Sequence, residues 1–295
     1  MKKINLIYWN KDNFGDQLSP YIVSKLSGET IRYKRGTASL RYSFKEILSH
    51  ALRLKFSKIS EMLFNWQDSL LAVGSIINLG NSKSKIWGSG FMNENQPFYG
   101  GKVCAVRGKF TAQKIAERGY ETTDVYGDPA LLLPLIFTPP ILGDRQIAII
   151  PHITEFKYFK EKYGAKYDVI DFRTRNIEKT ISEICRYRLI LSSSLHGLIV
   201  AHAYGIPALW IKHGYIHTDG IKFKDYFSSV GISCYDGFEN IDGLMSKNPK
   251  VIETFFIDNE KIANPQVSLS ALQKKLIEVA PFPIKPIFNI KQNEV

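Results

Sequence analysis

The chain has 295 residues, of which 44% are hydrophobic, 13% aromatic and 23% charged, and it carries a net charge of +11. This composition builds an ordered core and excludes both a disordered chain and a small scaffold stapled by disulfides or metal. Three scattered cysteines, Cys104, Cys185 and Cys234, with no C-x-x-C, exclude a disulfide framework and point to a reducing compartment.

The first apolar run, INLIYW (4–9), is too short for a signal-peptide core and reads as a first strand. NKDNFGDQLSPYIVSKLSG follows as a helix, with Asp16 as its cap, Pro20 in its first turn and Gly28 at its end. Leu18, Ile22 and Leu26, spaced i, i+4 and i+8, form the face that packs on a sheet.

Between Thr30 and Ile59 eight basic residues (Arg32, Lys34, Arg35, Arg41, Lys45, Arg53, Lys55, Lys58) face the single acid Glu46, so this segment supplies +7 of the net charge. Phe44, Ile47, Leu48, Ala51, Leu52 and Leu54 fall at near-helical spacing within it. The segment reads either as a basic amphipathic helix docking on an anionic membrane surface through residues 32–58, or as a solvated insertion of its own domain. No recognition-helix, zinc-finger or RNA-binding signature accompanies the charge, so nucleic acid is not an expected partner.

Further strands are expected at SLLAVG (69–74), KIWGSG (85–90) and KVCAVRG (102–108). The longest apolar stretch, ALLLPLIF (130–137), is split by Pro134 and falls well short of the roughly 20 residues of a spanning helix, so the expectation is a cytoplasmic protein without one. TPPILGDRQ (138–146) reads as a linker, and beyond it come QIAIIP (146–151), YDVIDF (167–172), RLILSSS (188–194) and IPALWI (206–211). QVSLSALQKKLIEVA closes the pattern as an amphipathic helix with Val267, Leu269, Leu272, Leu276 and Val279 as its stripe. Short apolar strands alternating with helices predict an α/β chain of two Rossmann-like domains, residues 1–140 and 141–295, facing each other across a cleft.

Chemistry is expected at the strand ends. There is no G-x-G-x-x-G, no phosphate-loop motif, no G-x-S-x-G elbow and no cluster with metal-ligand spacing. What remains is a set of small residues after strands: Gly15 with Asp16, Gly74 with Ser75, the Gly88–Gly90 turn, and Ser192 to Ser194. Backbone N–H groups there can approach an anion, and a helix start adds favourable partial charge. His196 opens the helix after the serines, where it can titrate near neutrality and exchange a proton with substrate, or merely cap its helix. His152, after QIAIIP, is a second candidate; His202 reads as a core histidine, and His213 with His217 lack a third metal ligand. Arg107, at a strand end before a helix, can grip phosphate or carboxylate, or form an interdomain salt bridge.

The ordered set NFGDQLSP, SLLAVGSI, WGSGF, VRGKFT, GDPALLL, IIPH and SSSLHGLIVAHAYGIPALW, covering most of residues 5–230, resembles the polysaccharide pyruvyl transferase family. The resemblance implies a fold like that of two-domain GT-B glycosyltransferases. It also implies transfer of a pyruvyl group from phosphoenolpyruvate to two hydroxyls of a sugar, or of a lipid-linked oligosaccharide, without a further cofactor. The family's late motif carries an arginine two residues before the histidine; here that place is Ser194, so Arg107, Lys212 or Lys224 has to supply the charge. In this reading His196 is the acid, His152 its partner or a base, and Arg107 with the groups around Ser193, Ser194 and Leu195 holds the donor. Asn13, Asp16 and Ser75 bind acceptor hydroxyls beside Gly15 and Gly74. The competing readings are a glycosyltransferase using a nucleotide sugar, against which stands the lack of a Glu-x7-Glu pair after residue 140, and a non-catalytic carbohydrate-binding protein.

Overall fold

The computed structural model describes residues 3–36, 68–214, 218–239 and 241–290. Two all-parallel sheets carry the fold. The first contains β1 (Lys3–Ile7), β2 (Thr30–Lys34), β3 (Ser69–Leu71), β4 (Ser84–Trp87) and β5 (Lys102–Ala105) in the order β2-β1-β3-β4-β5. The second contains β6 (Arg145–Ile150), β7 (Asp168–Val169), β8 (Tyr187–Ser192) and β9 (Ala208–Trp210) in the order β7-β6-β8-β9. The eight strands expected from the apolar runs are all present, and the mixed α/β class is as expected. The principal helices are α1 (Phe14–Ser27), α2 (Lys109–Glu117), α3 (Phe156–Tyr163), α4 (Ile177–Ile184), α5 (Leu195–Ala203), α6 (Ile221–Ser229), α7 (Pro249–Asp258) and α8 (Leu269–Glu278).

Helix α1 begins earlier than Asp16 would place it. Asn13, in extended conformation, is the cap, and its Oδ1 accepts from Gly15 N at 3.1 Å. Pro20 therefore lies inside the helix rather than in its first turn, and the Asp16 carbonyl lacks the N–H it would otherwise receive from residue 20. Gly28 ends the helix in the left-handed region, φ 72°, with its N–H on the Ser24 carbonyl.

The basic segment needs a second correction. Arg32 and Lys34 belong to the edge strand β2, and Lys34 is fully buried, its ammonium pushed down to about 8 by burial, so it is not available to a membrane surface. Arg41, Lys45, Arg53, Lys55 and Lys58 lie outside the described residues, as does His217. Among the described residues no helix is long and apolar enough to cross a membrane.

One buried apolar cluster runs through both sheets, joining Leu6, Phe14 and Trp87 to Ile150, Leu198 and Phe223. Polar ties reinforce it: Phe14 N donates to the Phe172 carbonyl at 2.8 Å, and Tyr21 and Lys25 both reach Glu178 Oε1 at 2.9 Å. Helix α8, expected with the second sheet, docks on the first. Its Leu276 carbonyl accepts from Trp87 Nε1 at 2.8 Å, Gln273 donates to the Leu131 carbonyl at 2.7 Å, and Leu276 is fully buried. The amphipathic stripe found its partner across the chain because the face offered by Trp87 and the 129–132 turn is apolar and otherwise uncovered.

Candidate active site

The carboxyl ends of both sheets meet, which is where ligands bind in doubly wound α/β proteins. From the first sheet come the turn after β1 (Asn13, Gly15, Asp16), the turn after β3 (Gly74, Ser75), Arg107 after β5 and Asp128. From the second come His152 and Glu155 after β6, Ser193 to His196 after β8, and Lys222 on α6.

Arg107 locks this junction. It is fully buried, with Nε on Asp225 Oδ2 at 3.1 Å, Nη1 on Ser75 Oγ at 2.6 Å and Nη2 on the Phe91 carbonyl at 2.7 Å. Asp225, 1% exposed, also accepts from the Thr111 backbone and hydroxyl at 2.8 and 2.7 Å. The interdomain salt bridge is thus what the structure contains: Arg107 is spent on protein partners, and Ser75 with it, rather than aimed at a donor or a sugar hydroxyl. Gly74, φ 118°, makes the tight turn that brings Ser75 in, and its carbonyl accepts from Ser89 Oγ at 2.8 Å.

The serines are likewise only partly available. Ser192 Oγ donates to the Ile150 carbonyl at 2.7 Å and accepts from Ser194 N at 3.0 Å. A methyl group at Gly197 would lie 2.2 Å from that oxygen, so this loop can fold back only over a glycine. Ser193 Oγ donates to Glu155 Oε2 at 2.5 Å and accepts from His152 N at 2.9 Å. The Ser192 and Ser193 hydroxyls therefore brace the loop. Ser194 caps α5 by its backbone without a side-chain cap bond, and the N–H groups of Leu195 and His196 have no partner among the described residues.

His196 stands at the centre. Its Nε2 is buried, has no hydrogen bond among the described residues, and lies 3.9 Å from Asp128 Oδ2, which is also without one. Its Nδ1 faces the first turn of α1, where a methyl group on Gly15 would come within 2.3 Å. Burial, then the charges of Lys222 and Arg107, push the imidazole down to about 3. The ring is therefore neutral at rest, not titrating near neutrality as expected, and Asp128 lies behind it. Asp128 is fully buried, pushed up to about 6 by burial against the Ala130 N–H bond and the charge of Arg107. Asp16 Oδ2 accepts from Asn13 at 2.8 Å, yet burial pushes its carboxyl up to about 7, so near neutrality it carries a transferable proton.

The other cations and histidines fall elsewhere. Lys212 pairs with Glu239 at 3.6 Å, and Lys224 with Asp236 at 3.0 Å, so neither is the cation acting on His196. The His152 ring hydrogen-bonds Thr154 at 2.7 Å. His202 is buried between Tyr226 OH and the Ala263 carbonyl, a core histidine as expected. His213 stacks on Tyr158 at 3.5 Å beside a cavity of about 490 Å³, whose lining also includes Glu155, Ser193, Trp210 and Lys212.

Three groups of the site escape sequence reasoning: Asp128, Glu155 and Lys222. Asp128 lies in the GDPALLL motif, but nothing local distinguishes it from a cap of the following turn, which it also is through Ala130 N at 2.9 Å. Lys222 had a usable signal. Lys222, Asp225, Tyr226 and Ser229 follow i, i+3, i+4, i+7 and are all buried, so α6 turns a polar face inward.

The sequence profile of polysaccharide pyruvyl transferases matches residues 13–215, a span that includes Asp16, Arg107, Asp128, Glu155 and His196. The chain belongs to the polysaccharide pyruvyl transferase family. It is also 28% identical over 240 residues to an uncharacterized protein of Acanthamoeba polyphaga mimivirus, covering 76% of this chain and 83% of the relative. As a pyruvyl transferase it has a polysaccharide as its acceptor class. The contact of Gly15 with His196 gives a direct check on the site. Gly15→Ala forces the imidazole to move, and kcat is expected to fall about 100-fold for a displacement of about 1 Å, with little change in Tm. Unaltered kcat in this variant would mean that the His196 position does not matter.

Proposed function

We propose that the protein moves the pyruvyl group of phosphoenolpyruvate onto two hydroxyls of one sugar of a surface polysaccharide or its lipid-linked precursor, giving a cyclic ketal and phosphate. The observation that carries this reading is the neutral His196, with Asp128 behind its Nε2 and the Gly15 turn of α1 against its Nδ1, at a helix start whose Leu195 and His196 N–H groups have no partner among the described residues.

The chemistry divides among these groups. Asp16 protonates the methylene carbon of phosphoenolpyruvate, and an oxocarbenium-like centre develops at the carbon bearing phosphate and carboxylate. A sugar hydroxyl attacks that carbon as His196 Nδ1 takes its proton. The imidazolium so formed is stabilised by Asp128, which Nε2–H approaches as the loose 3.9 Å contact tightens. The carbon–oxygen bond to phosphate then breaks, the leaving phosphate taking the proton back from the His196 imidazolium, and the second hydroxyl of the same sugar adds to the carbon and gives its proton to the Asp16 carboxylate, which closes the ketal and restores the acid. The amides of Leu195 and His196 hold the donor's charge through each stage. The first sheet contributes the acid and the second the base and the anion-binding helix start, so neither half suffices alone.

The cavity beside Ser193 and Glu155 is the natural seat of the acceptor. The stacked Tyr158 and His213 rings offer apolar faces, while Glu155 and Lys212 offer hydrogen-bonding groups, a mixture suited to a sugar ring. Asn13, spent on Gly15 N and Asp16, leaves the acceptor role expected for it and instead fixes the α1 start.

A phosphate-release assay tests the reaction. Phosphate should appear only when phosphoenolpyruvate and a galactoside or other sugar acceptor are both present, with an equimolar acceptor product. Phosphate release that ignores the acceptor, or transfer only from a nucleotide sugar, would contradict the assignment.

A further inference from the structure

We propose that Glu155 and Trp210 select the acceptor, by binding its hydroxyl groups in the cavity of about 490 Å³ and by favouring a neutral sugar over a uronic acid. The proposal deepens the function above and takes from it that this cavity seats the acceptor; the sugar site itself stands on the groups that line it.

Both residues line the cavity and both are more than nine-tenths buried, Glu155 at 7% and Trp210 at 2% exposed. Each holds a buried polar atom without a hydrogen bond among the described residues: Oε1 of the carboxyl and Nε1 of the indole. Their other polar groups are engaged. Glu155 Oε2 accepts from Ser193 Oγ at 2.5 Å, and Trp210 N donates to Tyr235 OH at 2.8 Å. Phe223 stacks on the Trp210 ring at 4.0 Å, and Gly237 lies so close against it that a methyl group there would come within 2.6 Å. Trp210 therefore meets the cavity by its edge. The strands bring the two residues together, because Trp210 pairs with Ser192 across β8 and β9 and the next residue, Ser193, holds Glu155.

A buried acceptor and a buried donor left open beside one cavity each cost stability, and nothing within the fold offsets them. A sugar hydroxyl is both donor and acceptor and so answers both: its O–H suits the carboxylate oxygen, and its oxygen suits the indole N–H. The ring that carries such hydroxyls has an apolar face for the stacked Tyr158 and His213.

Charge narrows the class of sugar. Four carboxyl groups line the cavity, those of Glu155, Asp219, Glu239 and Asp242. Lys212 pairs with Glu239 at 3.6 Å and Lys162 with Asp242 at 2.7 Å, whereas Asp219 has only the neutral N–H groups of Glu94 and Ile221, at 2.6 and 3.1 Å. Burial raises the Glu155 carboxyl, and the Ser193 bond and the charge of Lys222 bring it back down. The carboxylate of a uronic acid would enter beside Glu155 and Asp219 with the lysine of the lining already paired, and like charges in a desolvated place repel.

The test is binding of methyl β-galactoside, methyl β-glucoside and methyl α-mannoside, and of the matching uronosides, followed by ligand-observed NMR, to the wild-type chain, Glu155→Gln and Trp210→Phe. The wild type should bind a neutral glycoside, and its uronoside at least about 10-fold more weakly. In Glu155→Gln the amide oxygen stays with Ser193, so an NH2 group takes the place of Oε1. The neutral glycoside should then bind about 10- to 100-fold more weakly, and the gap to its uronoside should close. Trp210→Phe keeps a ring against Phe223 and removes the N–H, for a loss of about 3- to 10-fold. No binding of any neutral glycoside by the wild type, wild-type affinity in either variant, or a Glu155→Gln chain that weakens both sugars and keeps the preference overturns the proposal. Neutral-sugar binding that depends on Glu155, in a protein that releases no phosphate from phosphoenolpyruvate with those same sugars, would instead uphold the sugar site and overturn the pyruvyl-transfer reading.

Discussion

Asp225→Ala is expected to destabilise the protein by about 3–5 kcal/mol, because it leaves the Arg107 guanidinium charged and buried with only Ser75 and the Phe91 carbonyl as partners. The loss extends beyond one ion pair. Asp225 also receives the Thr111 N–H and hydroxyl, so its removal orphans the first turn of α2 as well. Chemical denaturation should show a lower midpoint, and a double variant, Arg107→Met with Asp225→Leu, should regain most of the loss. An Asp225→Ala midpoint within about 0.5 kcal/mol of wild type would mean that this junction does not hold the two sheets together.

His196→Gln is expected to lower kcat about 100- to 10,000-fold, the range for loss of a positioned base, while leaving the fold intact. Stability should change little, since His196 Nε2 makes no hydrogen bond that the substitution would break. The pH profile of kcat/KM separates the assigned roles. In the proposed reaction Asp16 is needed protonated, and its carboxyl is raised to about 7, so the rate should fall as pH climbs past that point. His196 is needed neutral in the same reaction and is lowered to about 3, so no acidic limb from it should appear near neutrality.

The same shifts act on folding stability with opposite signs. A buried carboxyl with a raised pKa binds a proton more readily folded than unfolded. Asp16 therefore costs stability progressively as pH rises from the ordinary carboxylate range to about 7, and Asp128 does so up to about 6. His196, lowered, costs stability as pH falls from the ordinary imidazole range toward 3, where the unfolded chain takes up a proton that the folded one refuses.

The parallel strands were legible in the sequence because burial on both faces leaves continuous apolar runs such as QIAIIP and SLLAV. Strand β2 was not, since TIRYK sits at a sheet edge with Arg32 and Tyr33 exposed and so lacks such a run. At the site, the position of His196 at a helix start could be read from LILSSSLHG, but its protonation could not. That depends on Lys222 and Arg107, which approach from other elements and only the fold brings near. Arg107 illustrates the same limit. A strand-end arginine suits an anion clamp and a salt bridge equally well in sequence, and the partner that decides, Asp225, lies 118 positions away. Asn13, Asp16 and Ser75 were expected to bind acceptor hydroxyls, yet the fold uses Asn13 to cap α1 and Ser75 to hold Arg107.

Protonation of the enol carbon by an exchangeable acid of the site is tested most directly by running the reaction in deuterium oxide. With phosphoenolpyruvate and a sugar acceptor, the isolated product should be a pyruvyl ketal whose methyl group carries one deuterium, delivered by the exchangeable acid, with one phosphate released for each ketal. A ketal methyl without deuterium, or an acceptor untouched by phosphoenolpyruvate that gains a hexose from a nucleotide sugar, would contradict it.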